Sequence, residues 1–209
     1  MQPYEDFQTA YRALEARMKA LAEADGDVFL PNLEPKGPVA HVLICMEPSL
    51  GRWARSADLA RSTVEAGFRN FLPSDEVAIL HFCIRRYLCS AGEQYHMTDF
   101  SKGAMLVERA APERTKRYER WYPLLLEEIE LVSNPTATIV AVGAAVFDQL
   151  TRQGFRKPFA RIMHYSSQAV LARREAIVGR EDSFNTFSDS VSLDDVINTA
   201  KGVFRVSCG

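Results

Sequence analysis

A polar residue or a glycine follows each of four apolar runs in the sequence. In chain order these residues are Glu47, Asp99, Gly143 and His164. Two carry carboxylates and one an imidazole, which are common proton-transfer groups in enzymes. If the apolar runs are parallel strands of one sheet, their carboxyl ends meet at the edge where such sheets bind ligands. The sequence therefore predicts a functional edge built from four strand ends.

The apolar runs and the segments between them predict the fold. The runs are short and rich in β-branched and large apolar residues, as buried parallel strands are, and they lie at 39–46, 95–98, 138–142 and 161–163. Apolar residues at three- and four-residue steps predict helices over 4–24, 58–71 (or a helix and a turn), 75–88, 113–132, 144–153, 168–178 and 192–202. Strands alternating with helices predict an α/β three-layer sandwich with a mostly parallel four-stranded sheet.

The chain shows no internal repeat and no linker, which predicts a single domain over residues 1–209. Within it we distinguish an N-terminal helix and loop (1–37), a core (38–175) and a C-terminal helical extension (176–209). Hydrophobic residues make up 47% of the 209 residues and charged residues 25%, as in ordinary globular proteins.

Composition also excludes several functional classes. The net charge of −2 argues against a DNA binder that works by bulk positive charge, although it leaves room for a local basic face. No apolar run is long enough to span a membrane, and the N-terminus does not resemble a secretory signal. The four cysteines are scattered without a CxxC pair, which indicates reduced thiols and a cytoplasmic location. Neither a GxGxxG nor a GxxxxGK[ST] phosphate loop occurs, which disfavours a nucleotide-using enzyme.

Five short motifs occur in an order that resembles the uracil-DNA glycosylase superfamily. They are Cys-Met-Glu-Pro-Ser at 45–49, Asn-Phe at 70–71, Thr-Asp-Phe-Ser-Lys at 98–102, Ile-Val-Ala-Val-Gly-Ala-Ala at 139–145 and His-Tyr-Ser-Ser at 164–167. Each motif is short, and the resemblance depends on their order over about residues 38–175. It implies a monofunctional DNA glycosylase that flips out a modified or deaminated pyrimidine and hydrolyses its glycosidic bond, in DNA repair or defence.

The resemblance implies catalytic roles for Glu47 and His164. Glu47 precedes a proline at the end of the first strand, where the family places the group that activates the attacking water. A carboxylate there can accept the proton of the water and stabilise an oxocarbenium-like sugar. His164 matches the histidine that donates a hydrogen bond to the pyrimidine O2 as negative charge moves onto the base. The family usually has a proline after this histidine, whereas this chain has Tyr165. Without the resemblance, Glu47 would be read as a turn cap and His164 as a structural histidine.

The resemblance also implies contacts with DNA. Ser49 and Lys102 would touch phosphates from two strand ends. Residues Ser166, Ser167 and Gln168 begin a junction from loop to helix, where hydroxyl and backbone N–H groups suit phosphates. Tyr165 would wedge into the stack that the flipped nucleotide leaves.

Two residues are candidates for binding the base. Phe71 matches the aromatic residue that stacks on the extruded base in the family, with Phe68 as a competitor and a core role as the alternative. Asp99 occupies the position of the asparagine that reads uracil. An ionised carboxylate only accepts hydrogen bonds, so Asp99 favours the N4 amino group of a cytosine-type base, with a 5-substituent as one option. The alternative is that Asp99 caps a turn.

We expect no cofactor, no metal and no iron–sulfur cluster, because the cysteines and histidines are not clustered. We also expect a monomer whose partner is DNA. The alternative function is a catalytically silent member of the same fold that binds nucleic acid or a protein.

Overall fold

The structure, a computed structural model, describes residues 2–51, 54–71 and 75–164, with isolated positions at 171, 178–179, 182, 186, 189–190, 192 and 194. Its helices are α1 (Gln2–Ala24), α2 (Ala57–Glu65), α3 (Asp75–Cys83), α4 (Val107–Val132) and α5 (Ala144–Arg152), and α3 continues as a π-helix over Ile84–Leu88. Its strands are β1 (Val28–Phe29), β2 (Val39–Cys45), β3 (Ser49–Leu50), β4 (Tyr95–Asp99), β5 (Gly103–Leu106), β6 (Ser133–Val142) and β7 (Phe159–Ile162). The helices predicted at 168–178 and 192–202 lie outside the continuously described ranges.

Four parallel strands form the main sheet, in the order β4-β2-β6-β7. They correspond to the four strands predicted from the apolar runs. Cys45 is the ladder partner of Asp99, and Ile44 is the partner of Ala141, so neighbouring strands end at similar heights. The predicted α/β sandwich with a four-stranded parallel sheet is therefore confirmed.

Helices cover both faces of this sheet, which explains why β2 is apolar at almost every position. Val42 and Ile44 point to one face, where they share a buried cluster with residues of α1, α4 and α5. Leu43 and Cys45 point to the opposite face, where they pack against Leu80 of α3. A strand that is buried on both faces cannot alternate between apolar and polar residues.

A second, small sheet was not expected from the sequence. Its order is β1-β5-β3, with β1 antiparallel and β3 parallel to β5. β3 lies in a segment whose residues predict a turn, and β5 follows the polar segment 99–102. Strands of two to four residues are too short to show an alternation of apolar and polar residues. The pairing of Ser49 with Met105 joins the chain that follows β2 to the chain that follows β4. This sheet therefore connects two of the strand ends that carry candidate site residues.

A buried polar network joins the end of β4 to α4. The Lys102 ammonium donates to Glu128 Oε2 and to Thr98 Oγ1, each at 2.6 Å, and His96 Nε2 lies 3.0 Å from Glu128 Oε1. Lys102 and Glu128 are both 1% exposed. Burial alone would raise the pKa of Glu128, but the charge of Lys102 and the contact with His96 lower it to about 2. Glu128 is thus ionised and compensated.

The position of Lys102 differs from its predicted role. Its ammonium is enclosed and bonded inside the protein, so it does not fit the predicted contact with a DNA phosphate. The sequence shows Lys102 in a polar segment, and polar segments normally lie at the surface. Glu128, 26 positions away, is the partner that makes burial of a lysine tolerable.

Candidate active site

The topology of the main sheet defines where a ligand site is expected. From β2 the chain crosses to β4 on one side, and it then crosses to β6 on the other side of β2. In open parallel sheets, ligands bind outside the carboxyl ends of the strands where such a reversal occurs. Glu47 lies just after β2, and Gly143 lies just after β6. Asp99 and His164 stand at the ends of the flanking strands.

The Glu47 carboxylate is held by two side chains of α4. The Arg114 guanidinium donates to Glu47 Oε1 through Nη2 at 2.7 Å and through Nε at 3.0 Å. The Tyr118 hydroxyl donates to Glu47 Oε2. The Glu47 side chain is 5% exposed and that of Arg114 is 30% exposed. A buried carboxylate is thereby fixed in one orientation at the end of β2.

This arrangement limits what Glu47 can do chemically. A carboxylate offers about four lone-pair directions, and Arg114 and Tyr118 together fill about three of them. The remaining direction suffices to orient one water molecule. Burial, followed by the negative charge of Glu47, raises the pKa of Tyr118, which keeps that hydroxyl a donor. The hydrogen bond to Glu47 raises the pKa of Arg114. Glu47 is therefore a fixed negative charge that can position water.

Neither Arg114 nor Tyr118 was expected at the site from the sequence. A signal was present, because the two residues are four positions apart and so share one face of a helix. An arginine and a tyrosine on a face that is otherwise apolar indicate a buried acceptor. The sequence did not identify that acceptor.

Asp99 is a buried carboxyl group without an adjacent cation of its own. It is 3% exposed, and Asn70 Nδ2 donates to its Oδ2 at 2.6 Å. Burial raises its pKa to about 7, and the negative charges of Glu128 and Glu47 add to the effect. Lys102 and the Asn70 hydrogen bond act in the opposite direction without cancelling it. Groups with such shifted pKa values cluster at functional sites.

Phe71 packs in the core and also lines a cavity. The residue is 5% exposed and packs in the cluster formed by Leu43, Leu80 and Met97. It is also among the residues that line a cavity of about 350 Å³. Stacking of Phe71 on an extruded base therefore stays a prediction, beside the core alternative. The competitor Phe68 packs in another cluster, beside α2.

His164 lies against a glycine at the start of α5. Gly143 has φ +96°, and a Cβ placed there would meet His164 Cβ at 3.4 Å and Cδ2 at 3.5 Å. The Gly143 N–H donates to the carbonyl of Ile162 at 2.8 Å, which ties β6 to β7 at this point. The absence of a side chain at position 143 therefore lets the imidazole pack on the backbone at the site edge.

The remaining predicted DNA contacts are only partly described. Ser49 is exposed in β3, next to the segment of Glu47. Tyr165, Ser166, Ser167 and Gln168 lie outside the described residues.

The cavity of about 350 Å³ lies beside the open edge of β4 and towards the amino ends of β2 and β4. Phe71, Val39, Tyr95 and Arg85 are among the residues that line it. Arg85 is engaged there, because it donates to the Glu93 carbonyl and to Gln94 Oε1 and lies 4.9 Å from the Tyr95 ring centre. We place the candidate site at the carboxyl edge because the fixed and pKa-shifted carboxyl groups are there.

Within the described ranges, no three or more His, Cys, Asp and Glu side chains are arranged to hold a metal ion. Among the same residues, no helix combines the length and the apolar character that crossing a membrane requires. Cys45, Cys83 and Cys89 are free thiols, and burial raises the pKa of each.

The fold and the site define an α/β protein with two buried carboxyl groups at the carboxyl edge of a parallel sheet. Comparison of the chain with protein-family models, curated proteins and solved structures gave no match.

The raised pKa of Asp99 predicts how stability changes with pH. The folded protein binds a proton at Asp99 up to about pH 7, whereas the ordinary pKa of an aspartate is 3.8. The stability that this proton contributes is fully present below the ordinary pKa and is lost as the pH rises through about 7. We expect the loss of Tm between pH 5 and pH 8 to be smaller in Asp99→Asn than in wild type. Asp58→Asn, at an exposed aspartate, is the control. Identical pH profiles for Asp99→Asn and wild type would contradict the assignment.

The contact between Gly143 and His164 predicts a local effect of adding a side chain. Gly143→Ala should cost about 1–3 kcal/mol in backbone strain, and the added methyl group should stand in van der Waals contact with the imidazole. Gly154→Ala is the matched control, since Gly154 also has a positive φ of +68° but a Cβ there meets nothing within 4 Å. Ring-proton NMR shifts of His164 should change in the first variant and stay constant in the second. Equal His164 shifts in both variants would show that the contact does not position the ring.

Proposed function

We propose that this chain is a monofunctional DNA glycosylase of the uracil-DNA glycosylase superfamily, which hydrolyses the glycosidic bond of a flipped-out modified or deaminated pyrimidine. The observation that carries the proposal is the Glu47 carboxylate, fixed by Arg114 and Tyr118 at the end of the first sheet strand. Its place at the edge shared with Asp99 and His164 is what the ordered motifs of the sequence predict.

In the proposed reaction the bond between the sugar C1′ and the base nitrogen breaks, and the base leaves with the electron pair. Positive charge develops on the sugar, and the fixed Glu47 carboxylate stabilises it. A water molecule held in the remaining lone-pair direction of Glu47 attacks C1′, and the proton that this water loses is taken up by the base anion. His164 donates a hydrogen bond to the pyrimidine O2, where the negative charge of the departing base accumulates. The products are the free base and an abasic sugar.

The contacts with Arg114 and Tyr118 indicate that Glu47 would act mainly through its charge and its fixed orientation. Two N–H groups of Arg114 and the Tyr118 hydroxyl keep the carboxylate in place, so it does not reorganise when the sugar becomes positive. Stabilisation of the sugar cation is therefore the larger contribution that we propose for Glu47.

DNA is the proposed partner, bound through local contacts. With a net charge of −2, the chain cannot depend on bulk attraction to phosphates. The exposed Ser49 and the segment from Tyr165 to Gln168 remain the proposed backbone contacts. Apart from Lys102, the residues predicted to contact phosphates are neutral hydrogen-bond donors.

A panel of duplexes, each with one modified pyrimidine, tests the activity. We expect wild type to produce alkali-labile strand breaks on at least one duplex that carries uracil or a 5-substituted cytosine. Glu47→Gln should lower the single-turnover rate by roughly 100-fold or more, because the charge is lost while the shape is kept. Affinity for an uncleavable duplex should be nearly unchanged.

Glu119→Gln is the control, since Glu119 is an exposed residue of α4 next to Tyr118. An unchanged cleavage rate in Glu47→Gln would remove Glu47 from the mechanism. DNA binding by wild type without strand breaks on any duplex would instead support the catalytically silent alternative.

A further inference from the structure

Asn70 and Asp99 form a side-chain pair at the end of β4. Asn70 Nδ2 donates to Asp99 Oδ2 at 2.6 Å. Asn70 is half-buried, and Asp99 is 3% exposed. The amide of Asn70 is therefore nearer the surface, and the carboxyl group of Asp99 is buried more deeply.

The orientation of the Asn70 amide is fixed by its second contact. Its Oδ1 accepts a hydrogen bond from the backbone N–H of Phe71 at 3.0 Å. Rotating the amide by half a turn would place its NH₂ group against that N–H and its oxygen against the Asp99 carboxyl. Both contacts would be lost, so the amide has a single favourable orientation.

Further hydrogen bonds, through His81 and Tyr95, hold the backbone of Phe71 next to Asn70. Phe71 has φ +61°, an unusual conformation for a bulky residue, which the surroundings must stabilise. His81 Nε2 lies 3.2 Å from the Phe71 carbonyl, and His81 Nδ1 lies 2.6 Å from the Tyr95 hydroxyl. A carbonyl only accepts, so Nε2 carries the hydrogen of His81. Burial lowers the pKa of His81, which keeps it neutral, and Nδ1 then accepts from Tyr95.

Above pH 7, where Asp99 is ionised, what remains for a ligand is one donor beside one acceptor. Asn70 has a second N–H, and Asp99 has its Oδ1. In a pyrimidine the C4 substituent lies opposite the bond to the sugar, so it enters a pocket deepest, and N3 lies one position shallower. The deeper Asp99 therefore faces the C4 substituent and Asn70 faces N3.

We propose that Asn70 is a specificity-determining residue, which donates to N3 of a cytosine-type base while Asp99 accepts from its N4 amino group. This inference rests on the proposed glycosylase function. In the same alignment uracil would meet two repulsive contacts, because its O4 would face an acceptor and its N3–H would face a donor. The pair therefore selects against uracil as well as for cytosine-type bases.

Exchanging the two side chains tests the inference. The variant Asn70→Asp/Asp99→Asn keeps an amide–carboxyl contact but reverses its direction, so that a donor faces the C4 substituent and an acceptor faces N3. Single-turnover excision is measured at a pH above 8, where Asp99 is ionised, on two duplexes that differ only in a 5-substituted cytosine or the uracil with the same 5-substituent. Wild type should prefer the cytosine by on the order of tenfold or more, and the exchanged variant should prefer the uracil.

Each outcome decides between the inference and the proposed function. Excision with the same preference in wild type and variant would overturn the role of Asn70 and leave the glycosylase activity standing. No excision by wild type on any duplex of the larger panel would overturn both.

If thermal melting shows that the exchanged variant is unfolded, Asn70→Ala replaces it. That variant removes only the donor and should reduce the preference without inverting it, and an unchanged preference there would equally overturn the inference.

Discussion

Lys102 and Glu128 meet at 2.6 Å in a region where both side chains are 1% exposed. Removing one partner from such a pair leaves a buried charge without compensation, at a cost of about 3–5 kcal/mol. The pair therefore fixes α4 against the end of β4 in one arrangement. Thr98 strengthens it by donating to Glu128 Oε2 at 2.7 Å. Together with the buried pair of Arg117 and Asp27, this attachment helps to fix the position of α4.

α4 connects the Lys102–Glu128 pair to the candidate site. Arg114 and Tyr118 are earlier residues of the same helix, and they hold the Glu47 carboxylate. The small sheet adds a second connection, since β3 and β5 join the segments that follow Glu47 and Asp99. The two strand ends are thus positioned by an ion pair, a helix and a short ladder, which together leave little freedom for the carboxyl groups.

The buried carboxyl groups of Glu128, Asp99 and Glu47 differ in how closely a positive charge lies to each of them. Glu128 is matched by a cation and has a pKa of about 2, while Asp99 lacks an equally close cation and has a pKa of about 7. Glu47 is paired with an arginine that is itself partly exposed. A fully compensated carboxylate suits a structural role, whereas an uncompensated one indicates function.

The sequence predicted the main sheet closely, because strands buried on both faces are apolar throughout. The strand expected at 39–46 is Val39–Cys45, and the one expected at 95–98 is Tyr95–Asp99. The start of α4 was predicted six residues late, since Pro112 discourages a helix there. Lys102 and Arg114 could not be placed, because their roles depend on partners 26 and 67 positions away that no local pattern connects.

The proposed function requires DNA to bind at the carboxyl edge of the sheet and one glycosidic bond to be hydrolysed there. The most direct test is an NMR titration of the ¹⁵N-labelled protein with a duplex that carries a 2′-fluoro-substituted cytosine-type nucleotide. The fluorine disfavours the positive sugar and so prevents cleavage. The account predicts amide shift changes centred on residues 47–51, 99–101 and 143–147. Changes centred instead on the cavity lined by Val39, Tyr95 and Arg85, or no changes at saturating duplex, would contradict it.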